Sequence, residues 1–449
     1  MSQANEQRTP FVLGKPIKNP ADFYGRDNIL GRVFEAIREG QLVSVVGEHR
    51  CGNTSVIYQV VHPDVRARYL TPKQDAERVY AFVSAALAAE GPEAFFRRLA
   101  RALRRADEDA QVDFDGEIDR VWLENYLEDL TDRDQRLVLL MDEFEILADF
   151  DPSFWDWFEK LVTEYDVAMV VTSRSDLGRF RSEHGMGPPF FNMFRTIPVG
   201  SFRKETFEEF LRDKSEITDF DFQAQRDTIL DLAGRFPYYV QLAAALTYLQ
   251  AGGESQLTPA QVDIVRHEFK ARTRALFEDA WGKLPASEQD ALMWLVLGAE
   301  PTGDDAASYR EALRSLEQRG YLLEGRIFSS AFADFVRSHT HLIALDPSTG
   351  RVRVGTGVVH PPAEAFAMLA ALAAAGGRVV TTASLAETLW PDLARNAPEA
   401  AERKVRATAD ALRTALGDGG DDGADEPHVE ELSGLGIHGY RFVNELVDL

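Results

Sequence analysis

The feature that most constrains the fold of this chain is a short loop, framed by two glycines, between an apolar run and a helix. Gly47 and Gly52 enclose four residues, and the residues that follow are Asn53, Thr54 and Ser55. The apolar run at 42–46 predicts a buried strand, and the residues after the loop predict the start of a helix. This order is typical of a phosphate-binding P-loop, in which backbone N–H groups at a helix N-terminus face the phosphates.

The loop departs from the usual P-loop sequence at Asn53, where a lysine normally contacts the β- and γ-phosphates. Thr54 keeps the hydroxyl that binds Mg²⁺, and the backbone amides remain. A charge-assisted hydrogen bond contributes about 1.5–3 kcal/mol, so we expect turnover to suffer more than binding. Arg50 is a candidate substitute for the missing charge. Taken alone, the fragment also fits a glycine-rich turn that binds nothing.

A second apolar run, at 136–141, ends in the carboxylates Asp142 and Glu143. The carboxyl ends of parallel strands meet at one edge of a sheet, so both side chains are expected near the P-loop. Asp142 would hold Mg²⁺ through water, and Glu143 would orient or deprotonate the attacking water.

A third apolar run, at 167–171, is followed by Ser173 and Arg174, which we expect at the same edge. A further strand is predicted at 78–83, between the loop and the acidic pair. Each run by itself is more often a plain core strand than part of an active site. Their order together predicts a site for ATP or ADP with Mg²⁺.

Over about residues 10–340, these motifs resemble the bacterial and archaeal STAND-type, AAA-like ATPases. The segment 19–27 is similar to that family's N-terminal motif, in which an aromatic residue precedes Gly25 and Arg26 and the segment frames the adenine. The resemblance implies that Arg26 contacts a phosphate or the base. The alternative is a surface arginine after a turn glycine.

The segment that follows the predicted sheet also resembles this family. Gly234 and Pro237 match its helical lid motif, which implies that the turn at Pro237 senses the bound nucleotide. The alternative is an ordinary helix N-terminus, where proline is favoured. The resemblance gives Asp142 and Glu143 as catalytic residues and Thr54 and Asp142 as metal ligands. It gives as nucleotide-binding residues Gly25, Arg26, Gly47, Arg50, Gly52, Asn53, Thr54, Ser55, Ser173, Arg174 and Pro237.

Composition limits the class of protein. A chain of 449 residues predicts about three domains. The polar start of the sequence lacks a leader pattern and the apolar stretch 365–375 is too short to span a bilayer, so we expect a cytoplasmic protein with no membrane partner. A net charge of −24 disfavours general adhesion to nucleic acid, so any DNA contact requires a local basic face. The single cysteine, Cys51, excludes an internal disulfide.

The second half of the chain contains two candidate winged helices. Residues 275–340 predict helices followed by a hairpin at 320–328 and resemble the small winged helix that follows the lid in STAND ATPases. In relatives this domain packs on the nucleotide domain, which implies a regulatory role.

Residues 341–445 resemble the OmpR/PhoB-type winged helix of response-regulator effector domains. The resemblance implies that the helix at 401–413 enters the DNA major groove. The residues suited to phosphate or guanine contacts are Arg403, Lys404, Arg406 and Arg413. The alternative is a solvated charged helix. The acidic loop 417–426 and the stretch 429–434, which corresponds to the wing, would repel a phosphate backbone.

The predicted fold class is an α/β P-loop NTPase domain with a helical lid, followed by two winged-helix domains. The predicted division is a polar segment at 1–20, the NTPase domain at 21–200, the lid at 201–270, and winged helices at 271–340 and 341–449. The preferred hypothesis is a regulator in which ATP or ADP occupancy controls transcription through the C-terminal domain. One alternative is a pseudo-ATPase scaffold in stress or defence signalling whose winged helix binds protein. Another is a slow ATPase whose missing charge comes from Arg50 or from a neighbouring subunit in a nucleotide-dependent oligomer.

Overall fold

The structure is a computed structural model that describes eleven stretches of the chain. They are residues 10–182, 185–254, 256–297, 305–339, 343–346, 350–354, 357–375, 378–416, 429–434, 437–442 and 446–448. The acidic loop 417–426 and most of the hairpin turn at 347–350 lie outside the described residues. The chain folds into two compact units, one of residues 1–272 with 318–320 and the other of residues 273–317 with 321–449.

The strands of the first unit are β1 (Leu42–Val46), β2 (Arg78–Ser84), β3 (Arg136–Asp142), β4 (Ala168–Ser173), β5 (Arg181–Ser182), β6 (Gly185–Met186) and β7 (Arg195–Pro198). Five of them form a parallel sheet in the order β2-β3-β4-β1-β7. The short β5 and β6 pair antiparallel outside this sheet. The five-stranded parallel sheet confirms the α/β class predicted for this part of the chain.

The helices of the first unit are α1 (Asp27–Arg38), α2 (Asn53–Val61), α3 (Pro63–Tyr69), α4 (Pro72–Ala76), α5 (Pro92–Ala106), α6 (Arg120–Asp132), α7 (Pro152–Glu164), α8 (Lys204–Thr218), α9 (Arg226–Ala233) and α10 (Pro237–Ala251); α11 (Pro259–Gly282) runs from it into the second unit. Short 3₁₀ helices span Pro20–Asp22, Ala85–Leu87, Phe144–Asp149, Leu177–Arg179 and Pro189–Met193. Several helices begin with proline, whose missing N–H costs nothing in a first turn.

The main core lies on one face of the parallel sheet. Phe95, Trp122 and Phe154, from α5, α6 and α7, pack against strand residues such as Leu139. The alternate strand residues, such as Val138, are buried as well. Both faces of the sheet are therefore covered, which explains why its strands read as near-continuous apolar runs. The sheet thereby holds the carboxyl ends of β1, β3 and β4 at one edge.

The second unit begins within α11 and continues with α12 (Ala286–Leu297), α13 (Asp305–Arg319), β8 (Leu322–Leu323), β9 (Arg326–Ile327) and α14 (Ser330–His339). The last two residues of α13 belong to the first unit. β8 and β9 pair antiparallel across a turn in which Glu324 and Gly325 both have positive φ. Positive φ at both central residues is the geometry of a tight hairpin turn, and glycine is favoured there.

The remaining elements are β10 (Ile343–Asp346), β11 (Arg351–Val354), β12 (Gly357–Val359), α15 (Ala363–Ala374), β13 (Val380–Thr381), α16 (Thr382–Leu389), α17 (Pro391–Asn396), α18 (Pro398–Leu416), β14 (Val429–Gly434), β15 (Ile437–Phe442) and β16 (Leu446–Asp448). The strands form two sheets, β12-β11-β10-β16 and β13-β15-β14. Met368, Leu385, Leu412 and Tyr440 belong to their shared core with α15, α16 and α18. Among the described residues, no helix is long and apolar enough to cross a membrane.

Candidate functional site

The loop between β1 and α2 has the backbone geometry of an anion cradle. Gly52 precedes α2 with φ 97°, and Arg50 has φ 70°. No side chain caps the first turn of α2, so its N–H groups are available to a ligand. Gly47 is required by packing, since a Cβ there would lie 2.3 Å from the carbonyl oxygen of Val199.

The side chain of Asn53 turns back onto its own loop. Its Nδ2 donates a hydrogen bond of 2.6 Å to the carbonyl oxygen of Gly47. Its Oδ1 is buried and accepts no hydrogen bond from any described residue. Asn53 therefore closes the loop on itself, whereas a lysine there would extend toward the phosphates.

Thr54 and Asp142 meet at the carboxyl edge of the sheet. The Thr54 hydroxyl donates to the two carboxylate oxygens of Asp142 at 3.1 and 3.0 Å, and the Thr172 hydroxyl donates to the same carboxylate at 2.6 Å. Burial raises the pKa of Asp142, and the two hydroxyl donors oppose that shift. A threonine hydroxyl beside a carboxylate is a hard-oxygen donor set that fits Mg²⁺.

Glu143 follows β3 in a left-handed conformation, with φ 57°, which is uncommon for a residue other than glycine. Its N–H donates to the Thr172 hydroxyl at 2.9 Å, and its carboxylate lies 3.4 Å from the Arg174 guanidinium. The strained turn therefore places this carboxylate between the end of β3 and the end of β4.

A third carboxylate, Glu145, lines the same cleft and is absent from the sequence-based predictions. One of its oxygens accepts the backbone N–H of Arg174 at 3.1 Å. The other is buried and accepts no hydrogen bond from the described residues. Burial raises the pKa of Glu145. The only signal in the sequence is that an acidic residue recurs two positions after Glu143.

Two of the predicted nucleotide-binding residues, Ser173 and Ser55, have hydroxyls that form hydrogen bonds within the protein. Ser173 is 2% exposed; its hydroxyl lies 2.8 Å from that of Ser44 and donates to the carbonyl of Ser175 at 2.7 Å. The Ser55 hydroxyl accepts the N–H of Ile17 at 3.0 Å. Both residues line the cleft, but their hydroxyls position neighbouring segments.

The N-terminal segment 12–17 forms one wall of the cleft, and no sequence-based prediction assigned it to the site. Gln59 on α2 donates to the carbonyl of Ile17 at 2.9 Å, and the N–H of Val12 donates to Gln241 on α10 at 2.8 Å. This segment brings the exposed Lys15 to the cleft. The only sequence signal for it is the Gly-Lys-Pro run at 14–16.

The lid residues Pro237 and Tyr238 line the cleft from the start of α10. The guanidinium carbon of Arg50 lies 4.7 Å from the centre of the Tyr238 ring. Arg50 is therefore held between the P-loop and the lid by a cation–π contact. Arg50 and Pro237, both predicted to bind the nucleotide, therefore line the same cleft.

Gly25 and Arg26 do not line the cleft. Gly25 has φ 64°, and a Cβ there would lie 2.2 Å from the Thr206 hydroxyl oxygen. Arg26 is 8% exposed and donates to the carbonyls of Gly200 at 2.5 Å and Cys51 at 3.4 Å. Burial lowers its pKa. In this structure Arg26 ties the P-loop to the segment after β7.

The cleft as a whole is mixed in charge. Its basic side chains are those of Lys15, Arg50 and Arg174, and its acidic side chains are those of Glu48, Asp142, Glu143 and Glu145. Glu48, within the loop, accepts a 2.6 Å hydrogen bond from Nε of Arg319, in the segment 318–320 that belongs to the first unit.

The four predicted DNA-contacting residues lie on α18 in different surroundings. Lys404 lies 2.6 Å from Glu364 and over the Trp390 ring. Arg413 donates to the Val429 carbonyl and to Glu431, at 3.2 and 3.3 Å. Arg403 and Arg406 are exposed, and Arg403 lies 4.0 Å from Glu399.

The sequence matches the family profile described as Novel STAND NTPase 1 over residues 17–307. The chain belongs to this family, and its first unit is a nucleotide-binding STAND-type P-loop NTPase domain. Among curated proteins, none matches this chain.

Several solved structures are distantly similar. A Walker-type ATPase of Pyrococcus abyssi is 15% identical with a TM-score of 0.49, covering 72% of this chain and 98% of its own. The ORC1 protein of Aeropyrum pernix, solved in complex with DNA, is 15% identical with a TM-score of 0.39, covering 70% and 93%. The ADP form of the Aeropyrum pernix ORC2 protein is 12% identical with a TM-score of 0.42, covering 87% and 94%.

Proposed function

We propose that this protein is a nucleotide-controlled switch that binds ATP or ADP with Mg²⁺ and hydrolyses ATP slowly or not at all. The observation that carries the proposal is the Asn53 side chain, which bonds to the Gly47 carbonyl at 2.6 Å. The open N-terminus of α2 and the Thr54–Asp142 pair remain available to phosphate and metal. The site thus keeps the parts that bind and lacks the cation that stabilises the transferring phosphate.

In this proposal Thr54 and Asp142 hold the metal ion, which neutralises phosphate charge when bound. The backbone amides at the start of α2 receive the phosphates, and segment 12–17 with Tyr238 encloses the nucleoside. Glu143 stands where a water-orienting carboxylate is needed, but its carboxylate also pairs with Arg174 at 3.4 Å. That pairing lowers its availability as a base.

Isothermal titration calorimetry with MgATP and MgADP tests the binding part, with Thr54→Val as a variant that removes the hydroxyl at nearly constant shape. We expect saturable binding by the wild-type protein and weaker, less Mg²⁺-dependent binding by the variant. Absence of heat with both nucleotides would reject the switch. Phosphate release at 1 s⁻¹ or faster, roughly the ordinary enzyme range, would reject the slow-turnover part.

The ion pair between Glu48 and Arg319 supports a route by which nucleotide occupancy of the P-loop could affect α13. Glu48 lies in the P-loop and lines the cleft, so a bound triphosphate adds negative charge close to its carboxylate. We propose that phosphate competes with Glu48 for Arg319, the last residue of α13. A ligand shifts such an equilibrium only through different contacts in the two states, and this exchange of partners supplies one.

Arg319→Gln tests that route, with the exposed Arg314→Gln on the same helix as the control. We expect Arg319→Gln to change the ratio of the ATP and ADP dissociation constants at least threefold and Arg314→Gln to leave it unchanged. Equal ratios in both variants would show that the pair takes no part in nucleotide sensing.

For the output we propose that the C-terminal domain acts as a winged helix on DNA, with α18 as the reading helix. The exposed Arg403 and Arg406 support this assignment. The second candidate output is a protein partner, and it is favoured by Lys404 and Arg413, whose charges pair with Glu364 and Glu431. Both outputs are consistent with control by the nucleotide domain.

Fluorescence anisotropy with genomic fragments separates the two outputs. Site-specific binding that Arg403→Gln/Arg406→Gln weakens at least tenfold, and that Arg395→Gln leaves unchanged, supports the DNA output. Failure to bind any fragment site-specifically, with or without nucleotide, rejects it. Recovery of a defined complex with a protein partner, disrupted by changes in the same domain, would then establish the second.

A further inference from the structure

A second cleft lies in the first unit at the open edge of the parallel sheet, away from the P-loop. It has a volume of about 610 Å³ and runs along β2, with α3 on one side and α5 on the other. Within the described part of the chain, β2 pairs with β3 alone. The cleft therefore borders a strand whose second edge is unused.

Five arginines line this cleft. Arg98, Arg101 and Arg105 come from α5, Arg66 comes from α3, and Arg78 is the first residue of β2. The spacing of three and four residues places the three helical arginines on one face of α5. The lining residues include no aspartate or glutamate. A strongly basic cleft is unexpected in a chain whose net charge is −24.

The arginines of α5 differ in their pairing according to the face they occupy. On the neighbouring exposed face of the helix, Arg97 lies 3.6 Å from Glu93, and Arg104 lies 2.8 Å from Asp115. The three that line the cleft are exposed, and their side chains form no ion pair or hydrogen bond with other described residues. On the opposite wall, Arg66 pairs with Asp75 at 2.8 Å. The α5 side is thus the part of the cleft with uncompensated charge.

The backbone of β2 presents hydrogen-bonding groups to this cleft. The carbonyl of Glu77 accepts the N–H of Arg136 at 3.0 Å, so the backbone of residue 77 points toward β3. Because backbone direction alternates along a strand, residues 78, 80, 82 and 84 point their N–H and C=O groups to the open edge. No described strand pairs with this edge, so an added strand would find these backbone groups facing it.

We propose that this cleft binds an extended acidic peptide, which adds to β2 as a strand and places carboxylates against Arg98, Arg101 and Arg105. Side chains on one side of a strand recur about every 6.6 Å. Along the axis of α5, Arg98 and Arg101 are about 4.5 Å apart, and Arg101 and Arg105 are about 6 Å apart. Arginine side chains are long enough to bridge the difference between these spacings and the repeat of about 6.6 Å in the peptide. Main-chain bonds supply affinity in such complexes, and charge supplies selectivity.

Single-stranded nucleic acid fits the cleft less well. It would satisfy the arginines but leave the open strand edge of β2 unpaired. The aromatic rings of that strand are also engaged: Arg66 lies 4.5 Å from the centre of the Tyr80 ring, and Phe82 packs on Tyr58 at 5.4 Å. Base stacking, which carries much of the affinity for single strands, would lack a free partner.

The test uses the full chain and a fluorescein-labelled decapeptide that alternates glutamate with valine. Anisotropy is compared for the wild type, Arg98→Gln/Arg101→Gln and the matched control Arg97→Gln/Arg104→Gln, which removes the same charge from the neighbouring exposed face of α5. We expect saturable binding, weakened about tenfold or more by the cleft variant and less than twofold by the control. Thermal melting confirms that the variants fold.

Two further probes distinguish the mode of binding. The first probe is the same decapeptide N-methylated at alternate residues. It keeps every carboxylate but loses the backbone N–H groups along one edge of the peptide strand, so we expect it to bind at least tenfold more weakly. A ten-residue oligothymidylate tests the nucleic-acid alternative. The proposal would be overturned by any one of four results. The peptide does not bind saturably, or the cleft variant and the control variant lose the same affinity for it. Alternatively, the methylated peptide binds as tightly as the unmethylated one, or the oligonucleotide binds more tightly than the peptide. None of these outcomes depends on nucleotide binding at the P-loop.

Discussion

Replacing Asn53 by lysine is the most direct test of what the altered P-loop does. The substitution would restore a cation between the β- and γ-phosphates, where a charge-assisted hydrogen bond contributes about 1.5–3 kcal/mol, and would remove the bond to the Gly47 carbonyl, worth about 0.5–1.5 kcal/mol. The difference between these two ranges is about 0–2.5 kcal/mol, and its midpoint of about 1.3 kcal/mol corresponds to roughly eightfold tighter binding of ATP.

The matched control is Asn53→Met, which has about the length of lysine without its charge. It loses the same bond to Gly47 and gains no contact with phosphate, so its affinity for ATP should equal or fall below that of the wild type. Calorimetry with MgATP and MgADP measures both variants, and phosphate release shows whether turnover rises with Asn53→Lys. Equal tightening by methionine and lysine would refute the reasoning, because loop release instead of charge would then explain the gain.

Three other substitutions test separate parts of the site. Glu143→Gln should leave MgATP affinity within about twofold while abolishing any residual phosphate release, and loss of binding instead would assign the residue to the ligand cradle. Arg26→Ala should lower the free energy of unfolding by about 3 kcal/mol in urea denaturation, since it removes two charged hydrogen bonds and leaves a cavity; a cost below 1 kcal/mol would contradict a structural role. Burial raises the pKa of Glu145 above the ordinary glutamate value of 4.5, so the native state holds this proton more tightly than the unfolded state. The free energy of unfolding therefore falls as pH rises from 4.5 towards the raised pKa of the native state. Glu145→Gln should therefore gain stability relative to the wild type as pH rises above 4.5, and a constant difference across pH would disprove the assignment.

The parts of the fold that sequence predicts well are the buried parallel strands. The predicted run at 42–46 coincides with β1, and the run at 136–141 lies within β3. Such strands are covered on both faces, so their apolar runs are uninterrupted and end where the chain meets solvent. The position of Asp142 next to Thr54 then follows from the common edge of the sheet.

Side-chain directions within the site could not be predicted in this way. Asn53 folds toward the Gly47 carbonyl because the left-handed residues of the loop bring that oxygen within 2.6 Å. The same applies to Glu145, which reaches the cleft because Glu143 adopts φ 57° and turns the following residues inward. Neither position has a periodic pattern that a sequence could display.

Ion pairs between residues that are distant in sequence could not be predicted either. Helical spacing alone makes Lys404 and Arg413 equivalent to Arg403 and Arg406 as candidates for DNA. Glu364 lies forty positions from Lys404 in sequence but 2.6 Å from it in the fold. Likewise, the sequence shows several arginines within α5, but only the sheet order reveals that one face of that helix borders an open strand.

The charges around the P-loop bear on how the site can work without its lysine. Four carboxylates and three basic side chains line the cleft, and burial already raises the pKa of Asp142 and Glu145. A triphosphate entering such surroundings meets repulsion that an ordinary P-loop lysine would offset. In the proposed function, the balance comes from Mg²⁺ bound at Thr54 and Asp142 and from the basic side chains of the cleft, Arg50 at the lid among them. Because Arg50 contacts Tyr238 on α10, any movement of this arginine toward phosphate would disturb the lid. Under the proposed function, charge compensation thus falls partly to a residue that joins the loop to the lid, which favours the reporting of nucleotide occupancy over rapid turnover.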